Sequence, residues 1–245
     1  RNLSIESQLN EVKKVKRRKC IVGSAIGVSE KDLERAIELN KANVDLLIID
    51  TAHGHTTKVS KMIKNVKKKI SRVNLCAGNI ATGKAAKFLA DSGADIVKVG
   101  IGPGSICTTR LVAGIGVPQL SAIIDVKKSL RNYKTKIISD GGIKFSGDLA
   151  KGLAAGADCI MIGSLFSGTN ESPGKIIKIK GKLYKNFRGM GSVGAMSVGS
   201  SDRYYQKKYK DISKYVPEGV EGLVKYKGQV SKIIYNLIGG LKSVS

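Results

Sequence analysis

Apolar, β-branched runs recur at residues 21–28, 44–50, 72–79, 95–102, 135–140 and 158–164, and the stretches at 30–41, 57–70, 82–92, 119–131 and 146–155 read as helices. The runs are short enough for strands, and the segments between them repeat their apolar residues at the helical period. A helix between consecutive strands makes those strands parallel and covers the sheet, so the alternation dictates an α/β architecture. Residues of chemical interest fall just past the strands' carboxyl ends: Asp50, Asn79, the loop around Cys107, Asp140-Gly141-Gly142 and Gly163-Ser164. A (β/α)8 TIM barrel keeps its site at that end. A doubly wound open sheet has a similar local rhythm, but no GxGxxG follows the first run and ligand-type loops follow nearly every strand. The expectation is one catalytic barrel domain over residues 1–245, with about six of the eight βα units of such a barrel in this segment and two placed before Arg1. A barrel without those two units is not expected to fold alone. Residues 175–227 break the rhythm with Gly, Lys and Tyr and read as a long mobile flap before a closing helix at 230–241.

The segment Lys98 to Arg110, KVGIGPGSICTTR, sets a cysteine inside a glycine-rich loop directly after a strand. Gly100, Gly102 and Gly104 permit positive φ and close backbone approach, so N–H and C=O dipoles can converge there on a ligand or ion. Cys107 is then placed to attack an electrophilic carbon where the local field favours the thiolate. A tight turn with a buried structural cysteine is the plainer alternative. Asp140-Gly141-Gly142 offers a carboxylate and two N–H groups, suited to ribose hydroxyls beside a phosphate, or simply a turn before a helix. Gly163-Ser164 is a second small-residue turn where barrels hold phosphate. The Ser105 hydroxyl adds a third donor, and three such elements at one barrel end favour a 5′-nucleotide.

The balance of 43 basic and 19 acidic residues gives a net charge of +24, which raises nucleic-acid binding as a reading. Lysines scattered over helix-like segments and an aromatic content of 5% speak against a stacking platform, so nucleic acid is not expected as the main partner. The four cysteines form no CxxC pair, which argues for reduced thiols rather than disulfides or zinc. No apolar run reaches membrane-spanning length and the first residues lack a signal-peptide core, so the expectation is a cytoplasmic chain with no membrane partner.

Together the segments GIGPGSICTTR, GVPQLSAI, SDGGIKFSGD, RGMGSVGAMSVGSSDRYYQ, VPEGVEG and IGGLKS resemble those of the inosine-5′-monophosphate dehydrogenases, across essentially the whole chain. The resemblance implies oxidation of inosine monophosphate (IMP) to xanthosine monophosphate (XMP) with NAD. Cys107 would attack C2 of the purine, hydride would pass to nicotinamide, and water would hydrolyse the resulting thioimidate. Arg203 and Tyr204 would activate that water, with Thr109 as a hydrogen-bond relay. Ser105, Gly141, Gly142, Gly163, Ser164 and the strip Phe187, Arg188, Gly189, Met190 and Gly191 would hold phosphate and base. Asp140 would take the ribose and Glu218 the N1/O6 edge. NAD would lie against Asp50, Thr51, His53, Asn79, Gly100, Ile101 and Gly102. Carbonyls of Gly102, Gly104 and Cys107 would ligate a monovalent cation, K⁺, as oxygen donors suit a hard cation. A homotetramer is implied as well.

Three departures stand out. Phe187 replaces a tyrosine whose hydroxyl helps bind phosphate, Thr51 replaces a serine, and in place of a regulatory insert the basic stretch Lys13 to Lys19 runs straight into a strand. The nearest rival, guanosine monophosphate (GMP) reductase, carries a glutamate where Val193 stands and lacks the Arg203-Tyr204 pair. A catalytically silent nucleotide or nucleic-acid binder is the alternative from another class.

Overall fold

The computed structural model describes residues 2–70 and 72–243. Six strands, β1 (Gly23–Ile26), β2 (Leu46–Asp50), β3 (Asn74–Ile80), β4 (Ile96–Val99), β5 (Lys136–Asp140) and β6 (Cys159–Met161), pair in sequential order, all parallel. Helices α2 (Glu30–Lys41), α3 (Thr57–Lys69), α4 (Gly83–Asp91), α6 (Gln119–Ser129) and α7 (Ser146–Ala154) connect them, and a single turn, α5 (Thr109–Val112), precedes α6. The six expected strands and five connecting helices are all present, giving a partial TIM barrel.

Capping side chains fix where the helices begin. Ser29 and Asp32 form a reciprocal box at α2, and the Thr56 and Thr82 hydroxyls accept the Val59 and Ala85 amides at α3 and α4. Strand periodicity then sorts the side chains. On β2, Leu47 and Ile49 are fully buried and join Ile63, Leu75, Leu89, Ile123 and Ile137 between sheet and helices. Each such side chain stabilises the fold by roughly 1.5–3 kcal/mol. Leu46, Ile48 and Asp50 point to the other face, toward the barrel axis. At the opposite, amino-terminal end, Asp45, Asp95 and Asp158 each accept a backbone amide from the neighbouring strand, at Val22, Leu75 and Ile137. That repeated tie belongs to stability rather than chemistry.

Two regions depart from the sequence reading. Residues Ile5–Arg17 form a helix, α1, whose buried side chains are Gln8 and Val12. It packs through Val12 and Leu9 against the core and through polar contacts, Gln8 Nε2 donating to the Ser24 hydroxyl and Arg35 donating to Gln8 Oε1, so a buried glutamine sits in its apolar face. The expected flap at 175–227 is not structureless. Strands β7 (Ile176–Ile179), β8 (Lys182–Arg188) and β9 (Glu221–Lys225) form an antiparallel sheet in that order. Between β8 and β9 come a helical turn, α8 (Val193–Ala195), and short helical turns carrying Arg203 and Tyr204, and the final helix, α9, spans Val230–Lys242. Among the described residues no helix is long and apolar enough to cross a membrane, and all four cysteines are free thiols.

Candidate active site

The site begins as one lateral row across three strands. The register places Asp50 beside Gly78 and Gly78 beside Lys98, all on the face toward the barrel axis. A Cβ on Gly78 would lie 2.6 Å from the Lys98 carbonyl oxygen and 2.8 Å from its Cβ. Glycine is what lets the lysine side chain reach across. Lys98 Nζ donates to Asp50 Oδ1 at 3.0 Å, to Asp140 Oδ2 at 2.8 Å and to Asn79 Oδ1. Asn79 Nδ2 in turn donates to Asp140 Oδ2 at 2.9 Å and to the Gly100 carbonyl at 2.7 Å. Burial works against charge on Lys98, but the two carboxylates outweigh it and hold its pKa above the usual lysine value. Gly78→Ala should therefore displace Lys98 and lower stability by about 2–4 kcal/mol, read from chemical unfolding; an unchanged midpoint would remove the steric argument.

The loop after β4 carries Cys107, the candidate nucleophile. Gly100 has φ +152°, and a Cβ there would lie 2.1 Å from the Asp140 carbonyl oxygen, so the cysteine loop and the end of β5 meet in backbone contact. Cys107 Sγ donates to Thr109 Oγ1 at 3.2 Å, and Thr109 Oγ1 donates to Glu218 Oε2 at 2.7 Å. Glu218 is 109 residues from Thr109 in sequence. It is brought in by backbone bonds, Thr108 N–H to the Glu218 carbonyl and Glu218 N–H to the Gly191 carbonyl. Thiol, hydroxyl and carboxylate thus form one hydrogen-bonded line.

The expected flap pair sits on this constellation. Arg203 is ion-paired with Asp50, and its guanidinium lies 5.8 Å from the Tyr204 ring centroid. The Ala52 N–H donates to the Arg203 carbonyl at 2.9 Å, and the Tyr205 hydroxyl donates to the His53 carbonyl at 2.7 Å. Burial opposes the charge on Arg203, but Asp50 and Tyr204 outweigh it and hold the guanidinium pKa above its ordinary value. Asp50 is pushed up by burial, and Lys98 and Arg203 more than reverse this, holding it well below the usual carboxylate range. Burial raises the Tyr204 phenol, with Arg203 partly offsetting it. Asn79, Gly100, Gly102, Gly104, Cys107, Asp140, Gly141, Gly189, Met190, Gly191, Arg203, Tyr204 and Glu218 all line one cavity of about 180 Å³. Nucleotide-sized pockets run to roughly 300–1,000 Å³, and here the flap pair fills part of the space.

Other expected residues are placed differently. Thr51 is buried and donates its hydroxyl to the Gly78 carbonyl at 2.9 Å, so it supports the β2–β3 connection and shows no face to a cofactor. His53 is exposed, and Ile101 is buried beneath the loop. Gly163, Phe187 and Arg188 line a separate cavity of about 1040 Å³, joined to the first at Met190, which lines both. Gly142 lines a third, small cavity near Gln119, and Ser105 is exposed. The Ser164 carbonyl accepts from Lys227 Nζ at 3.0 Å, a cation beside that turn which the sequence reading passed over. Lys98 was passed over too, although a lysine between two valines on an apolar strand is a signal.

A family model for the IMP dehydrogenase / GMP reductase domain matches residues 1–245. The chain belongs to this family. Curated relatives include inosine-5′-monophosphate dehydrogenases of Rhizobium tropici, 56% identical over 90% of this chain and 44% of the relative, and of Bacillus subtilis, 52% identical over 91% and 45%. A GMP reductase from Trypanosoma brucei, solved in complex with guanosine 5′-monophosphate, superposes with a TM-score of 0.83 at 44% identity, covering 91% of this chain and 45% of that one. The chain thus spans about half the length of the relatives it matches.

Proposed function

We propose that this family member oxidises IMP to XMP with NAD through a covalent thioimidate on Cys107, a committed step toward guanine nucleotides. The observation that carries the reading is the line Cys107–Thr109–Glu218 facing the Arg203–Tyr204 pair across one cavity. Cys107 Sγ bonds to C2 of the purine while its proton passes through Thr109 to the Glu218 carboxylate. Asp140, with Oδ2 held by Lys98 and Asn79, keeps Oδ1 for the ribose hydroxyls. When bound, the nicotinamide accepts the hydride leaving C2. Asp50 and Asn79 would hold it, and Asp50 fits that task because it is buried, ionised and already serves as a cation's partner.

Arg203 occupies Asp50 in this structure, so the pair closes over the thioimidate when the cofactor's place is vacated. Held protonated by Asp50, Arg203 supplies positive charge beside Tyr204 while water adds to C2 and the C2–S bond breaks, returning the thiol. Glycine at 191 is required here, since a Cβ would lie 3.0 Å from the Tyr204 ring. Gly102, Gly104 and Cys107 fit a monovalent cation. Among the described residues no backbone amide donates to the Gly102 or Cys107 carbonyl, and Gly104 accepts only from Cys107. Bound there, such a cation would fix the cysteine loop. In the assembled enzyme we place four copies, in the cytoplasm.

A reductase reading is favoured by the GMP-bound neighbour, but Val193 stands where the reductases carry glutamate, and Arg203 and Tyr204 are both in the site. Incubation with IMP and NAD should produce NADH, and AMP should not substitute. Robust NADPH-dependent deamination of GMP would replace this reading with the reductase one.

A further inference from the structure

Two lysines outside the cysteine site share one arrangement. Lys185, on β8, is 3% exposed and donates from Nζ to the Thr169 and Ser172 carbonyls at 2.9 and 2.5 Å. Lys227, just past β9, donates to the Ser164 and Leu165 carbonyls at 3.0 Å each. Both ammoniums rest on backbone dipoles of a single segment, residues 163–172. Neither has a carboxylate partner among the described residues, and Glu171, the one acid in that segment, accepts the Val230 amide instead. Taking a cation out of water without an opposite charge is costly. Two carboxylates outweigh that cost at Lys98, whereas desolvation acts unopposed on Lys227 and lowers its pKa. The segment is therefore backed by two positive charges that the folded chain leaves unbalanced.

We propose that Lys185 and Lys227 are positioning residues for a dianionic phosphate: they hold the carbonyls of the 163–172 segment so that its free amides are left for the ligand, and they supply the positive charge that a phosphate monoester balances. The proposal rests on the purine 5′-monophosphate reading above and names the side chains that act behind the phosphate turn. The Gly163, Ser164 and Leu165 amides donate to no acceptor among the described residues, while the Phe166 and Ser167 amides both donate to the Gly163 carbonyl. The C=O and N–H of a trans peptide point in opposite directions, so a Ser164 carbonyl held on Lys227 turns the Leu165 amide away from the lysine. On β8, side chains two residues apart project together. Lys185 thus shares a face with Phe187, which lines the same cavity as Gly163. Backbone bonds keep both lysines in place. The Lys227 N–H donates to the Gly168 carbonyl and the Asn170 N–H to the Gly228 carbonyl, each at 2.8 Å, and a Cβ on Gly168 would lie 2.5 Å from the Lys225 carbonyl oxygen.

Isothermal titration with IMP, inosine and ribose 5-phosphate reads this role without turnover. Lys227→Met should weaken IMP and ribose 5-phosphate by about tenfold or more and leave inosine within about twofold, because the lost charge acts only on the phosphate. Lys227→Gln keeps a donor but no charge and should lose as much as Met. Lys227→Arg keeps both and should bind nearly as the wild type does. In steady-state assays the Lys227→Met loss should fall on KM for IMP, with kcat within about twofold. Lys185→Met should show the same selectivity for phosphate-bearing ligands, and Lys185→Gln can replace it if the first variant does not fold. A merely structural lysine predicts equal weakening of all three ligands with a lowered unfolding midpoint. Such equal weakening, unchanged ribose 5-phosphate binding in Lys227→Met, or wild-type affinity in Lys227→Gln would overturn the proposal. If the titrations follow the expected pattern while IMP and NAD yield no NADH, the dehydrogenase reading falls and the role of the two lysines stands. A wild-type protein that binds inosine as tightly as IMP would overturn both.

Discussion

Arg203→Ala should leave the first burst of NADH nearly intact and slow the hydrolytic step that follows by about 10²–10⁴-fold. The expectation follows from where the guanidinium lies. It is paired with Asp50, beside the cavity that holds Cys107 and Glu218, and its backbone is pinned to Ala52. On the proposed placement of the nicotinamide at Asp50, a residue there cannot share that carboxylate with the bound cofactor, so removing it should cost nothing while hydride moves and be felt only afterwards. Stopped-flow traces at saturating IMP and NAD separate the two phases. A burst slowed as much as the steady state would take Arg203 out of the water step.

The sequence carried the architecture because the signals were hydrophobic. Strands such as β2, with Leu47 and Ile49 fully buried, and helices opened by Ser29, Thr56 and Thr82 declare themselves by period and cap. Elements held by polar contacts did not. Helix α1 sets a buried Gln8 beside Val12 in its inner face, and the β7–β8–β9 sheet hides its alternation under lysines: Ile176 and Ile179 are exposed, and Lys185 is buried with Nζ on the Thr169 and Ser172 carbonyls. That the cysteine loop and the Asp140 turn, which line one cavity, lie beside one another was legible from their positions after β4 and β5. Lys98 was not, because its role depends on register: only the row Asp50, Gly78, Lys98 shows that a glycine lets the lysine span two strands. The convergence of Glu218 on Thr109 is likewise a product of the fold, carried by backbone bonds at Thr108 and Gly191. Thr51 shows the opposite case, a hydroxyl at a suggestive place that the fold directs to its own backbone.

Cys107→Ala should reduce turnover by on the order of 10⁵-fold or more, to the level expected when the group that forms the covalent bond is lost. Nucleotide affinity should change little, since Asp140, Glu218 and the Gly189–Gly191 strip remain in the same cavity. Isothermal titration with IMP alongside NADH formation separates the two effects. The remaining side chains cannot replace the sulphur. Among the other cysteines, Cys76 is buried with its thiol pushed up to about 12, and Cys20 and Cys159 line neither of the two cavities that meet at Met190. Residual turnover within tenfold of wild type would mean that the thiol packs the loop and does no chemistry.

Rapid quenching of the wild-type enzyme during turnover with IMP and NAD, followed by peptide mass spectrometry, tests covalent catalysis most directly. The peptide containing Cys107 should carry the mass of the nucleotide less its transferred hydride, and Arg203→Ala should increase the fraction so modified. An unmodified Cys107 peptide under conditions where NADH is being formed would contradict the mechanism.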